Sequence, residues 1–218
     1  MTGVALVTGA SRGLGYAVAK AFGAAGWQVV ALARTVGGLE ELDDAIRAAG
    51  GEAATLVPMD LADDAALERL GPAILERWGR LDLLVHCAVH AVALSPAGHV
   101  EPRDFDRAMA VNARASLRLI GTLDPLLRAS PGGHAVFLDD PMGGKFAAAY
   151  AASKAAQRAI VTAYAEEARV IGPRVTLFTP PPMPTALRAR FFPGEGREGL
   201  TPPGTVAERL MQRITAPA

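Results

Sequence analysis

A single doubly wound α/β domain over residues 1–218, with parallel strands in the order 3-2-1-4-5-6 and helices on both faces, is the fold class the sequence predicts. Three observations lead to it. Short apolar runs alternate with helical segments from Val4 to Phe178. The first run, Val4 to Val7, ends on a glycine-rich turn, Thr8-Gly9-Ala10-Ser11-Arg12-Gly13-Leu14-Gly15, that opens a helix from Tyr16 to Ala25. A later run, Leu81 to Cys87, is strongly apolar, as a central parallel strand covered on both faces has to be.

Composition narrows the class further. The 218 residues suffice for one three-layer core, half of them are apolar, one fifth are charged, and the formal net charge is zero. That balance provides no basic excess for nucleic acid or an anionic membrane, and no acidic tail. Cys87 is the single cysteine, so an internal disulfide is excluded and a reducing compartment is expected. The first residues carry no basic n-region, and no apolar run reaches the ~20 residues of a membrane span, so the expectation is a cytoplasmic protein.

The elements follow in order. Strand, glycine turn and helix together bring a pyrophosphate against backbone N–H groups and the positive end of a helix, which makes the first unit a dinucleotide site. The spacing G-x-x-x-G-x-G is a weak signal alone and a better one after a buried strand. Gln28 to Ala33 reads as the second strand and ends at Arg34, near where an acid would hold a ribose 2′-hydroxyl. Ala33 cannot hold it, whereas Arg34, helped by Arg12, can pair with a 2′-phosphate, which favours NADP(H) over NAD(H). Leu39, Leu42, Ala45, Ile46 and Ala49 recur at helical spacing before Gly50-Gly51, and Ala54 to Met59 is the third strand. Asp60, beside Leu61, is placed either to accept from an adenine amino group or to cap a helix. Asp63 caps the next helix, which runs towards Trp78 with an interruption at Pro72. Ala88 to Pro102 is a loop, and Phe105 to Leu127 fits one long helix. Ala135 to Leu138 is a strand leading to Asp139-Asp140, and an Ala-rich helix runs from Ala147 to Val170. Arg174 to Phe178 is the last strand, residues 186–199 form a flexible flap, and Thr205 to Thr215 is a final amphipathic helix.

Tyr150 and Lys154 stand at i and i+4 on one face of the Ala-rich helix. An ammonium there stabilises a tyrosinate, lowering the phenol's pKa for proton transfer. With the glycine turn, this Y-A-A-S-K makes the chain resemble the short-chain dehydrogenase/reductase family, a Rossmann-like fold, over essentially its whole length. Gly79-Arg80-Leu81-Asp82-Leu83-Leu84-Val85 resembles the family's fourth strand, and Asn112 the helix asparagine that supports a relay water beside the lysine. The tail Thr185-Ala186-Leu187-Arg188, with Phe192-Pro193-Gly194-Glu195, is similar to a branch of short bacterial members. The resemblance implies cofactor contacts along Gly9, Ser11, Arg12, Gly13, Leu14, Gly15, Arg34, Asp60, Leu61, Cys87, Ala88, Tyr150, Lys154, Pro180, Met183 and Thr185, with Tyr150, Lys154, Asn112 and Asp140 as the catalytic group. It implies a homodimer or homotetramer and a small-molecule substrate, and no metal.

The departures shape the functional expectation. His86-Cys87-Ala88-Val89 replaces the family's N-N-A-G, so a branched Cβ stands at Val89, and Pro181 replaces a glycine beside the nicotinamide. No Ser or Thr lies between Ser130 and Ser153, and Asp140 occupies the catalytic serine's place. Two charges about 6 Å apart at an effective dielectric of ~20 interact by about 3 kcal/mol, roughly two pKa units against tyrosinate. Three readings follow: an NADP(H)-dependent oxidoreductase of a small carbonyl or alcohol, a pteridine- or imine-type reductase that uses Asp140 as pteridine reductases of the family do, or a decayed cofactor-binding protein with a regulatory or assembly role.

Overall fold

Val4–Thr8 (β1) is buried at every position, and it lies at the centre of the sheet. In the computed structural model, which describes residues 3–216, β1 pairs in parallel with Gln28–Ala33 (β2) on one side and Leu83–His86 (β4) on the other. Thr55–Pro58 (β3) continues the sheet beyond β2, and His134–Leu138 (β5) and Arg174–Phe178 (β6) extend it beyond β4. The order is β3-β2-β1-β4-β5-β6, as the sequence predicts.

Strand alternation divides the core into two layers. Leu6, Val30, Leu32, Leu84 and Phe137 face one side, against Asp64–Trp78 (α3), Ala115–Arg128 (α5) and Ala148–Ala168 (α6). Ala5, Val7, Val29, Ala31, Leu83 and Val85 face the other, against Gly13–Ala24 (α1), Val36–Ala48 (α2) and Pro203–Thr215 (α8). Because the order reverses between β1 and β4, a crevice opens outside the carboxyl ends of those strands.

Two local expectations are corrected and a third stretch takes a definite shape. The helix α3 is not interrupted at Pro72: it runs unbroken from its Asp63 cap to Gly79, which is left-handed at φ 74°. Pro72 lies on the exposed face, one turn after exposed Glu68, whose carbonyl its ring leaves without an N–H donor. The long helix expected over Phe105 to Leu127 is three pieces: Pro102–Ala108 (α4), a π-helical segment Met109–Arg114, and α5. The Ala115 N–H donates to the Ala110 carbonyl across this segment, and Asn112 sits inside it. Finally, Ala186–Phe191, within the stretch expected as a flap, is a short helix (α7) with Phe191 buried.

Candidate active site

A cleft of about 1670 Å³ occupies the crevice, lined by the glycine turn, the ends of β2 to β6, and α7. The turn is shaped by contacts that leave no room for side chains. A Cβ on Gly9, at φ 69°, would lie 2.8 Å from the Ala88 backbone, and one on Gly15 would lie 2.3 Å from the Gly9 carbonyl oxygen. The turn therefore packs directly onto Cys87-Ala88, and α1 starts at Gly13, three residues earlier than expected. No side chain caps α1 and no acid occupies its first turn, so its leading N–H groups are available to an anion. This end of the cleft fits a dinucleotide's pyrophosphate.

The second strand delivers Arg34 to the same cleft, where Ser11, Arg12, Leu14 and Leu61 also line the wall. Arg34 forms no ion pair among the described residues. Asp60 is not the helix cap, a role that Asp63 takes. One Asp60 oxygen accepts from the Ala62 N–H at 2.9 Å and the other pairs with Arg107 at 2.5 Å. Pro180, Met183 and Thr185 also line the cleft, Thr185 beside Gly13 of the turn, and the Thr185 hydroxyl caps α7 by accepting from the Arg188 N–H.

The inner end of the cleft holds the proton chemistry. The Tyr150 hydroxyl donates to Asp140 Oδ2 at 2.8 Å, and Asp140 Oδ1 accepts from the Met142 N–H at 3.0 Å. Asp140 thus faces Tyr150. The electrostatic sign expected from the i, i+4 lysine is reversed. Burial, then the charge and hydrogen bond of Asp140, then Asp139, push the Tyr150 phenol far above its ordinary value. Lys154 does not offset this, because its ammonium donates to the Leu138 carbonyl at 2.7 Å and to Gln157 Oε1. Burial pushes that ammonium down to about 8, while Asp139 and Asp140 act in the opposite sense. Asp139 itself is held by Arg158 at 3.1 Å through two N–H donors.

Asn112 acts as a clamp. Its side chain accepts from the His90 N–H at 2.6 Å and donates to the His90 carbonyl and to Ser153 Oγ. It ties the loop after β4 to α6, and it reaches the lysine only through its backbone carbonyl, by way of Ser116 and Gln157. His86 is fully buried and bonded through Nδ1 to Thr8 Oγ1 at 2.7 Å; burial, then Lys154, push its imidazole down to about 3.

Residues of the expected flap, Arg188, Phe191 and Phe192, also take part here. Phe191 tilts against Tyr150 with ring centroids 4.7 Å apart, leaving Tyr150 only 1 % exposed. The α7 turn is pinned from outside by Arg188, which pairs with Glu195 at 2.6 and 2.7 Å and lies over the Phe192 ring. The apolar pair Phe191-Phe192 marks this contact in the sequence, but nothing there shows which ring turns inward. Phe191 covers Tyr150 from the α7 side, so lifting α7 would uncover the ring. Burying a phenylalanine contributes about 1.5–3 kcal/mol, so Phe191→Ala is expected to raise the uncovered population roughly ten- to a hundredfold. Site-resolved nitration checks this: Tyr150 should be modified faster in the variant, with Tyr16 unchanged.

Comparison with known proteins agrees with this fold. The chain is 37 % identical over 123 residues to a fatty acyl-CoA reductase of Acinetobacter baylyi, covering 56 % of this chain and 41 % of that protein. It is 32 % identical over 220 residues to a fatty acyl-CoA reductase of Mycobacterium tuberculosis, covering 97 % of this chain and 72 % of that one. The crystal structure of a metagenomic short-chain oxidoreductase in complex with NADP superposes with a TM-score of 0.85 at 31 % identity, covering 99 % of this chain and 91 % of that one. Residues 3–196 match the short chain dehydrogenase family, and this chain belongs to it.

Proposed function

We propose that this chain is an NADP(H)-dependent reductase of carbonyl compounds in which Tyr150 supplies the proton. The observation that carries the reading is the 2.8 Å bond from the Tyr150 hydroxyl to Asp140. Oxidising an alcohol needs tyrosinate as a base, whereas reducing a carbonyl needs the phenol as an acid. A phenol pushed this far up stays protonated through the ordinary pH range, so the proton donor that reduction needs is in place.

NADPH, when bound, supplies the hydride. The uncapped start of α1 and the glycine turn suit its pyrophosphate, Arg34 with Arg12 the 2′-phosphate, Asp60 and Leu61 the adenine, and Cys87, Ala88, Pro180, Met183 and Thr185 the nicotinamide side. Tyr150 would give its phenolic proton to the substrate oxygen as that oxygen becomes an alkoxide, and the tyrosinate left behind would be reprotonated from water. The substrate oxygen has to displace Asp140 as the phenol's acceptor, so turnover is slow. Support for an acyl or aldehyde substrate comes from the fatty acyl-CoA reductases and from Val89, Met142, Phe191 and Phe192 along the cleft.

A second reading is favoured by one observation: Asp140 forms no ion pair among the described residues, though it lines the cleft. A protonated C=N substrate, a pterin or an imine, would meet that carboxylate as a donor. Consumption of NADPH with aldehydes, ketones and fatty acyl-CoA, against a pterin and a cyclic imine, tests both. Carbonyl turnover supports the first reading and turnover on C=N alone the second. Cofactor binding without any turnover would overturn both in favour of a non-catalytic role.

NADP(H) is expected to bind more tightly than NAD(H), and Ala33→Asp with Arg34→Leu to reverse the order. Each charge-assisted bond to the phosphate is worth roughly 1.5–3 kcal/mol, so the preference should swing by at least tenfold in a fluorescence titration. Self-association belongs to the same reading: α4 and α5 expose Phe105 and Leu117, and α6 is rich in alanine. Sedimentation at micromolar concentration should show a dimer or tetramer, and a monomer alone would remove that part.

A further inference from the structure

The lysine of the site is tied to a line of buried side chains that the family motif does not contain. Lys154 has only donors, so the Gln157 atom facing it has to be Oε1. That choice sends the Gln157 amide hydrogens the other way, to Ser116 Oγ at 3.0 Å. Ser116, accepting there, is left to donate its own hydrogen, and Asn112 O stands 3.3 Å from it in the π-helical segment. Every bond in the line therefore runs one way, from Lys154 to Gln157 to Ser116 to the Asn112 carbonyl. Gln157, Ser116 and Lys154 are all buried, so water does not compete for these partners.

We propose that Gln157, with Ser116 behind it, is a positioning residue that fixes the Lys154 ammonium against the end of β5. This deepens the reductase reading and rests on it for its catalytic meaning. A primary amide accepts from an ammonium without passing a proton on, so the line holds the charge and closes the lysine to proton exchange through α5. Two consequences follow. Lys154 is oriented along α6 towards Gln157 and not towards the Tyr150 hydroxyl, and proton resupply to Tyr150 is left to the Asp140 side of the cleft. The groups facing Lys154 from its surroundings are Asp139 and Asp140 after β5, Arg158 on α6, Cys87 after β4 and His86 in β4. None of them replaces Gln157 as an acceptor: Asp139 is committed to Arg158, and Asp140 to Tyr150 and Met142.

The chain has only three lysines, Lys20, Lys145 and Lys154, so carbon-13 labelling of their ε-methylenes gives an assignable NMR titration of the intact protein. Gln157→Met removes the acceptor at similar volume and is expected to lower the Lys154 midpoint by about one pH unit or more. Gln157→Glu keeps the length and adds a charge, and is expected to raise it by a similar amount. Ser116→Ala should shift it in the same direction as Gln157→Met, by less. A packing role would move stability without moving the midpoint in opposite directions. If Gln157→Met does not fold, Gln157→Glu and Ser116→Ala still decide. A Lys154 midpoint unchanged in folded Gln157→Glu overturns the proposal. The titration needs no substrate, so a failure of the reductase reading and a failure of this one are seen separately.

Discussion

Replacing Asp140 by serine is expected to raise carbonyl turnover ten- to a hundredfold, a barrier change of about 1.4–2.8 kcal/mol. Two effects act together. The substitution takes a carboxylate charge away from the phenol, and it supplies a hydroxyl that can donate to the substrate oxygen instead of competing for the tyrosine's proton. Its pH signature is distinct. In the native protein burial, Asp140 and Asp139 hold the phenol above its ordinary value, so the tyrosinate that alcohol oxidation needs should be scarce at ordinary pH. In Asp140→Ser the phenol should fall, although burial and Asp139 still hold it above its ordinary value, and oxidation should gain towards the alkaline side. Initial rates in both directions from pH 6 to 11 measure it. Loss of C=N turnover in the same variant would instead support the second reading.

Tyr150→Phe is expected to reduce turnover by about 10²–10⁴-fold, the usual contribution of a positioned general acid. The ring's packing against Phe191 survives the change, so the fold should persist, with the lost bond to Asp140 read as a modest fall in melting temperature. The double variant with Asp140→Ser tests whether the two act as one unit. If Asp140 works through the phenol, the gain from Asp140→Ser vanishes once the hydroxyl is gone, and the two changes are non-additive. Full additivity would mean that Asp140 acts on the substrate alone.

The sheet was legible because each strand is short, apolar and separated from the next by a helix-sized segment. Buried parallel strands cannot alternate with polar residues, so runs such as Leu83–His86 stand out. The glycine turn was legible for a related reason, since backbone contact as close as that of Gly15 with Gly9 excludes any side chain. Pro72 misled because proline's cost in a helix depends on whether water can reach the freed carbonyl, a property of the fold and not of the residue. The π-helical segment was hidden because its apolar spacing over Met109–Arg114 passes for an α-helix's. Lys154 misled for another reason. A spacing of i and i+4 puts two side chains on one face, but the lysine's rotamer is decided by competing acceptors, here the Leu138 carbonyl and Gln157. Gln157 stands three residues after Lys154 on that same face, which was the available signal.

The most direct test of the Tyr150–Asp140 pair is the titration of the phenol itself. The chain has three tyrosines, Tyr16, Tyr150 and Tyr164, so carbon-13 at the ζ position gives three signals, and Tyr150→Phe assigns one of them. In the native protein the Tyr150 signal should remain that of a protonated phenol beyond the ordinary phenol range of about 10, and in Asp140→Ser its midpoint should fall. A native Tyr150 that ionises at or below the ordinary phenol value would contradict the account, because Lys154 would then be stabilising a tyrosinate and Asp140 would not be its partner.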